Sequence, residues 1–462
     1  MTIWQPSIAD RNGPRYLAIA DALAEDVATG ILEPGTRLPT HRDLAYRLGV
    51  TVGTVSRAYA EADRRGLISG EVGRGTFVGN HSKASRLAVP PEQPSGIVDL
   101  SLNLPAYTSG DIELSRTLAE ISRDGGLLPL LDYQPDVGLP HHRAAGAKWL
   151  AHSGVPADAN RIVVTNGAQH AMAVTFLAIA RPGDVVLTEA LTYPGMKELA
   201  NQFGLRLHGV AMDGEGMRAD AFAEACRTLA PKALYTTPTL QNPTAVLMGE
   251  QRRREIVAIA REHNVTIVED DVYGFLLGGE RPPAMAALAP DIVYHITGLS
   301  KCLFAGLRVG YVLCPAGTVE RVGSAVRATC RMATPLMAEV ATRWIENGTA
   351  TRLAESQRDE ERARREIALR VLKDIPCRTH PASFHLWISL PESWRAGEFV
   401  DALKSRGVIV LPADAFAVGR AQSPHAVRVC LGAARTRDAI EAGLNVIAET
   451  LADQSRCATP AV

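Results

Sequence analysis

Residues 79–96 limit what this chain can fold into more than any other stretch. They run Gly-Asn-His-Ser-Lys-Ala-Ser and, further on, Pro90-Pro91-Glu-Gln-Pro94-Ser-Gly. Three prolines among small polar residues neither continue a helix nor join a central strand, so the segment reads as a semi-extended linker with a reach of about 60 Å. The 462 residues therefore divide into a module of 78 residues and a remainder of about 365. At the usual ~100–200 residues per domain, that remainder holds a large α/β domain and a smaller one. No internal repeat or low-complexity tract interrupts either part.

Composition narrows the class. Apolar residues make up 46% and charged residues 21% of the chain, the balance of a soluble globular protein. Lys and Arg number 49 against 50 Asp and Glu, so a basic surface, where there is one, must be local. The opening Met-Thr-Ile-Trp-Gln-Pro-Ser lacks a basic stretch followed by an apolar run, and the longest uncharged apolar segment, around 171–180, is too short for a bilayer. Seven cysteines, at 226, 302, 314, 330, 377, 430 and 457, never fall in a CxxC spacing. A disulfide framework and a zinc site are not expected, and a cytoplasmic location is.

The first module has a readable order. Leu17, Ala20, Leu23, Ala24 and Val27 recur at helical spacing over 16–29, with Gly30 as the stop. Thr40 can cap a short helix over 41–48 that Gly49 terminates. Thr51 can cap a third helix to about residue 65, its buried face made of Val55, Ala58, Tyr59 and Ala62. Residues 67–72 and 76–78 then flank Gly73-Arg74-Gly75, a hairpin with a glycine-rich tip. Helix, helix-turn-helix and β-wing is the winged helix-turn-helix plan, in which the second helix of the pair enters a major groove. From 37 to 78 there are seven Arg and four acids, an excess placed where phosphates would lie. Three short helices by themselves are also a common structural motif.

The motifs settle between these readings. Leu38-Pro39-Thr40-His41-Arg42-Asp43-Leu44-Ala45, Gly49-Val50-Thr51-Val52-Gly53-Thr54-Val55-Ser56-Arg57 and Gly73-Arg74-Gly75-Thr76-Phe77-Val78 together resemble the DNA-binding domain of GntR-family repressors over its whole length. The resemblance implies DNA contacts by Arg42, Thr51, Thr54, Ser56, Arg57 and Arg74.

Five features of the remainder carry chemistry only as a set. Ser300-Lys301 follows an apolar run ending at Thr297, although a lysine at a strand end is ordinarily just solvated. The run Val265-Thr-Ile-Val268 delivers Glu269-Asp270-Asp271 and Tyr273 to a strand's C-terminal edge, where parallel sheets bind ligands and where carboxylates also commonly cap the next helix. Ile162-Val-Val-Thr165-Asn166-Gly167-Ala168-Gln169-His170 reads as strand, glycine turn and helix start, whose free N–H groups suit a phosphate. Thr192-Tyr193-Pro194-Gly195 and Gln241-Asn242-Pro243-Thr244 are turns that need no function on their own.

Pyridoxal 5'-phosphate needs this kit: a lysine for its aldehyde, a carboxylate for its ring nitrogen, a phosphate cup and an aromatic face. The order along the chain resembles the fold type I aminotransferases, class I/II branch, over nearly all of 98–450. That resemblance makes Lys301 the Schiff-base lysine and Asp270 the partner of the pyridine nitrogen. It makes Asn242 and Tyr273 donors to the ring's phenolic oxygen and stacks Tyr193 on the ring face. Ala168, Gln169, Ser300 and Arg308 form the phosphate cup, and Tyr133 serves the neighbouring subunit's phosphate. Arg428 takes a substrate or effector α-carboxylate in bidentate fashion, and Asn103 lies in a segment that covers it. Two positions depart. Gly298 stands where a phosphate-binding serine is usual, leaving Thr297 as the nearest hydroxyl, and Ala382-Ser383 replaces a Gly-Gly pair near the substrate mouth.

The two halves joined in this order resemble the MocR-type regulators. The implied fold is an N-terminal winged helix-turn-helix (1–78), a linker (79–97) and a PLP-dependent transferase-like α/β domain (98–455), divided into large (98–325) and small (326–455) parts. The implied protein is a cytoplasmic homodimer with no membrane partner. It binds double-stranded operator DNA and senses an amino-acid or amine effector through the cofactor. Two alternatives stay open at this point: a working aminotransferase with an accessory DNA-binding domain, and an enzyme whose first module serves only for protein contacts.

Overall fold

Internal packing separates the chain into two units, Met1–Pro91 and Glu92–Val462. The computed structural model describes residues 4–8, 14–32, 35–64, 67–71, 75–78, 96–106, 110–124, 127–278, 281–419 and 423–453. Most of the expected linker, and Arg74 at the wing tip, lie outside the described residues.

In the first unit Arg15–Ala28, His41–Leu48 and Val52–Arg64 are helices, and Ile68–Glu71 pairs antiparallel with Gly75–Val78. The Thr40 hydroxyl accepts from the Asp43 N–H at 3.2 Å and starts the second helix. Gly49, at φ 61°, ends it. Thr51 caps the third helix in the same way, accepting from the Thr54 N–H at 3.1 Å. Val55, Ala58, Tyr59 and Ala62 are its buried face, as the period requires. The first helix turns a different face inward. Ala18, Ile19, Ala22 and Leu23 are buried along with Ala20, whereas Leu17, Ala24 and Val27 are half-buried. An alanine-rich helix offers two overlapping stripes, and the larger Ile19 selects the one that packs beside Trp4 and Leu32. Residues 36–38 add an edge to the wing through Leu38 N–H to Thr76 C=O and Val78 N–H to Thr36 C=O, both 2.8 Å.

The second unit is built on a seven-stranded sheet. Its order is Ile162–Thr165, Gly310–Leu313, Val293–Gly298, Thr266–Asp270, Ala233–Thr236, Val185–Glu189 and Arg206–Val210. Only Gly310–Leu313 runs antiparallel to its neighbours. Strands Ile162–Thr165, Ala233–Thr236 and Val293–Gly298 are buried along their whole length, which is why they read as continuous apolar runs. One apolar cluster around Trp344, Phe222 and Leu234 covers one face, and another around Phe176, Tyr235 and Val268 covers the other. The parallel strands consequently end on one edge at Thr165, Glu189, Thr236, Asp270 and Gly298.

A second sheet of four short antiparallel strands carries Cys377–Arg378, His385–Ser389, Ala426–Cys430 and Leu411–Pro412. Helices Ala396–Ser405 and Arg437–Ala452 close its core with Leu386, Phe399, Val429 and Leu444. The elements after residue 325 divide between the two cores. Helix Pro335–Glu346 belongs to the large core through Ala338, Val340 and Trp344. The 23-residue helix Thr349–Val371 starts in that core at Ala350, Leu353 and Ala354 and ends in the small one at Ala368. One unbroken helix crosses the boundary, so no Gly, Pro or change of period marks it. Val98–Asp99 also pairs with Val408–Ile409 of the small part, in parallel. Among the described residues no helix is long and apolar enough to cross a membrane.

Candidate cofactor and nucleic-acid sites

Five of the six parallel strand ends on this edge of the large sheet bring one of the expected residues, and that of Arg206–Val210 does not. After Thr165 the chain turns at Gly167 (φ 85°) into helix Ala168–Ile179. The turn is tight for a reason. A Cβ on Gly310 would lie 2.6 Å from the carbonyl carbon of Gly167, and one on Gly167 would lie 2.7 Å from Arg308 Nη2. Only glycine at both positions lets the guanidinium and a helix N-terminus meet there. Arg308 (φ 50°) donates to Ser300 Oγ at 3.3 Å and to the Asn166 carbonyl at 3.2 Å, while Gln169 Nε2 donates to Gly195 C=O at 3.4 Å. Thr297 stays inside its strand, paired with Tyr311.

Asp270 ends its strand 5% exposed. Tyr235, on the adjacent parallel strand, donates its hydroxyl to Asp270 Oδ2 at 2.7 Å. Oδ1 is buried with no partner, an arrangement that costs free energy until a donor arrives. Burial raises this carboxyl to about 6, against the Tyr235 hydrogen bond, which lowers it. Strand alternation sorts the three successive carboxylates. Glu269 accepts the Met285 and Ala286 N–H groups at 2.9 and 3.0 Å and so caps the next helix; Asp271 pairs with Arg281 at 2.8 Å; Asp270 takes the Tyr235 hydroxyl.

Lys301 follows the strand ending at Gly298, and its Nζ donates to the carbonyl of Asn103. Burial pushes the amine down to about 8. Asn103 also donates through Nδ2 to the Tyr273 hydroxyl at 2.6 Å, and its Oδ1 is buried without a partner. Arg428, 3% exposed in the small sheet, donates to Asn242 Oδ1 at 2.8 Å and to Ser101 C=O at 2.5 Å. Its Nε has no partner, and Cζ lies 4.8 Å over the Phe416 ring. Because Arg428 occupies the Asn242 oxygen, that side chain's NH₂ is left as the donor. Tyr193 curls over Gly195, where a Cβ would lie 2.4 Å from its ring, and burial pushes its hydroxyl up to about 12.

The structure thus brings Lys301, Asn103 and Tyr273 together, links Asn242 to Arg428, and links Arg308 to Ser300 and the Gly167 turn. It does not bring Tyr133 in within one chain: that ring is 79% exposed, 5.3 Å from Arg331 Cζ. Sequence reasoning missed Tyr235 and Ser101. Tyr235 sits in an apolar strand and reads as core, and only its place beside the strand of Asp270 reveals it.

On the first unit, Arg42, Thr51 and Arg57 are exposed. Thr54 is half-buried and its hydroxyl meets that of Thr51 at 2.9 Å. Ser56 is turned inward, bonded to His41 Nδ1 at 3.1 Å. Tyr46, on the second helix, is 91% exposed and was not singled out from sequence.

Fold and geometry define a winged helix-turn-helix protein with a fold type I, aminotransferase-like domain. The family model for aminotransferase class I and II matches residues 95–447, and that for bacterial regulatory proteins of the gntR family matches 15–78. The HTH-type transcriptional regulator YdeF of Bacillus subtilis (strain 168), itself uncharacterized, is 30% identical over 450 residues, 97% of both chains. YdcR of Escherichia coli (strain K12), another such regulator, is 27% identical over 433 residues, 88% of this chain and 92% of that one. Among solved structures, the kynurenine aminotransferase of Pyrococcus horikoshii in complex with PMP superposes with a TM-score of 0.72 at 26% identity, covering 78% of this chain and 92% of that one. The chain belongs to the family of HTH-type transcriptional regulators in which a GntR DNA-binding domain precedes a class I and II aminotransferase domain.

Proposed function

We propose that this regulator holds pyridoxal 5'-phosphate on Lys301 and reports an amino-acid or amine effector to its DNA-binding unit. The observation that carries the reading is the buried, unpartnered Oδ1 of Asp270 on the same sheet edge as the lowered Lys301 amine and the Gly167 turn. When bound, the cofactor supplies an aldehyde that condenses with amines and a ring that accepts electrons. Asp270 Oδ1 holds a proton at the ring nitrogen. Asn242 Nδ2 and Tyr273 donate to the phenolic oxygen, and Tyr193 covers the ring face. The N–H groups of Ala168 and Gln169, with Ser300 and Arg308, hold the phosphate.

The effector's carboxylate competes for Arg428. That guanidinium now holds the Ser101 carbonyl, and Asn103 two residues on holds Lys301 and Tyr273. Drawing Arg428 to an effector releases the segment that begins at residue 98, directly after the linker to the DNA-binding unit. A coupling of about 1–3 kcal/mol would change operator affinity roughly 5–150-fold. Arg42, Thr51, Thr54, Ser56, Arg57 and Arg74 remain the proposed DNA contacts, and Ser56 acts through His41.

A homodimer completes the site. Ile112, Leu128, Leu131 and Tyr133 are 72–79% exposed, more large apolar surface than one stretch of a monomer usually leaves in water. A second copy covering that surface would receive Tyr133. Turnover as an aminotransferase is the second reading, favoured by the presence of Lys301, Asp270 and Arg428 together. Borohydride reduction of the purified protein followed by peptide mapping tests the cofactor assignment. A label on Lys301 is expected; a label on another lysine, or none with excess cofactor, overturns it.

A further inference from the structure

A cavity of about 380 Å³ is bounded by Leu276 and Leu277, by helix Thr349–Val371 and by residues 380–383. Its size is within the roughly 300–1,000 Å³ of small-molecule pockets. One helix face lines it with Arg358, Glu361, Arg362 and Arg365, residues at spacings of three and four that share a side. The rest of the lining is Leu276, Leu277, Pro381 and Ala382, with His380 and Ser383 beside them.

The polar atoms there are incompletely matched. Arg362 pairs with Asp359 at 2.9 Å, and Arg358 donates to the Phe275 carbonyl at 3.3 Å and lies 3.6 Å from Glu355. Arg365 Nε is buried with no partner. Glu361 is 3% exposed. Its Oε1 takes the Ala106 N–H at 3.1 Å and Gln357 Nε2 at 2.9 Å, while Oε2 is buried and unpartnered. Burial holds this carboxyl up at about 8, so at neutral pH it is mostly protonated and a donor. Donors on the helix face beside the apolar side chains of Leu276, Leu277 and Ala382 suit an acid group on a hydrocarbon body. An unpartnered buried donor costs free energy until such an acceptor fills the space.

We propose that this cavity is a second ligand site, for a small carboxylate with an apolar body, separate from the effector position at Arg428. The carboxylate accepts from Arg365 and Glu361, with Arg358 and Arg362 supplying charge at the rim, and the hydrocarbon lies on Leu276, Leu277 and Ala382. Two connections, one along the chain and one through a hydrogen bond, join it to the front site. Leu276 follows Tyr273 in one turn, and Ala106, held by Glu361, follows Asn103. Binding here does not depend on the cofactor assignment.

The probe is 3-phenylpropionate, which has no amino group to react with the cofactor, titrated calorimetrically into the full-length protein as purified. Arg428→Ala removes the front carboxylate position. In that variant one saturable event per chain is expected, weakened at least tenfold by a further Arg365→Gln and several-fold by Arg362→Gln on the exposed rim. The neutral 3-phenylpropanamide and inorganic phosphate should each bind at least tenfold more weakly. No saturable binding in Arg428→Ala, equal binding of the amide or phosphate, or indifference to both arginine changes overturns the proposal. Loss of the cofactor's absorption would count against the Lys301 assignment and leaves this titration readable.

Discussion

Lys301 should capture its cofactor with a pH profile set by burial. An ordinary lysine amine titrates near 10.5, and burial brings this one to about 8. Only the neutral amine attacks an aldehyde. At pH 7 the neutral fraction is about one in eleven at the lowered value and roughly one in three thousand at the ordinary one, a ratio of about 300. The sign follows from a depressed pKa on a basic group: the reactive form is lost as pH falls below about 8 and is nearly complete above it. Stopped-flow absorbance of apoprotein mixed with pyridoxal phosphate between pH 6 and 10, divided by the profile of Nα-acetyl-lysine, cancels the cofactor's own ionisations. The quotient should fall as pH rises from about 8, because the model amine gains neutral form there while Lys301 has already reached its plateau. A flat quotient, or capture unchanged in Lys301→Ala, would refute the reasoning.

Other consequences follow from single contacts. Tyr235→Phe removes the donor to Asp270 Oδ2 and leaves a second buried carboxylate oxygen unpartnered, so cofactor affinity should drop by about 1–3 kcal/mol, read by fluorescence titration of apoprotein; unchanged affinity removes Tyr235 from the site. Arg42→Ala should weaken specific and random duplexes alike and flatten the salt dependence by about one unit, while Arg57→Ala should relax sequence choice by ~1–3 kcal/mol per base contact. Binding titrations at several salt concentrations check both, and two variants indistinguishable from the parent would count against the DNA contacts. Leu128→Glu with Leu131→Glu places charge on the exposed apolar stretch and should yield monomers by sedimentation; an unaltered dimer would place the interface elsewhere.

How much of this was legible in the sequence depended on whether the signal was local. Thr40, Gly49 and Thr51 act on backbone within a few residues, so the caps and helix limits could be read directly. Lys301, Asp270 and Asn242 could be picked out through their order, because each sits at or after a strand end and parallel strands end on one edge. What could not be read depended on distant packing. Tyr235 reaches Asp270 only through the register of two strands, and Arg428 reaches Ser101 across 327 positions. The helix Thr349–Val371 carries no mark where one core gives way to the next. Ser56 lies in a motif that resembles a DNA contact, yet its hydroxyl goes to His41, a pairing set by the angle between two helices.

The central claim, that the aminotransferase-like half reports an amine to the DNA-binding half, is tested most directly by a closed thermodynamic cycle. Operator affinity is measured with and without a primary amine bearing a carboxylate, and the amine's affinity, from the cofactor's spectrum, with and without operator. Both legs should change by the same factor, between roughly 5 and 150, at concentrations where keto-acid product forms slowly or not at all. Arg428→Ala should shift that response to much higher amine concentrations while retaining the colour and the DNA binding. Identical operator affinity with and without every amine tried, alongside rapid multiple turnover, would contradict the account and leave a working aminotransferase in its place.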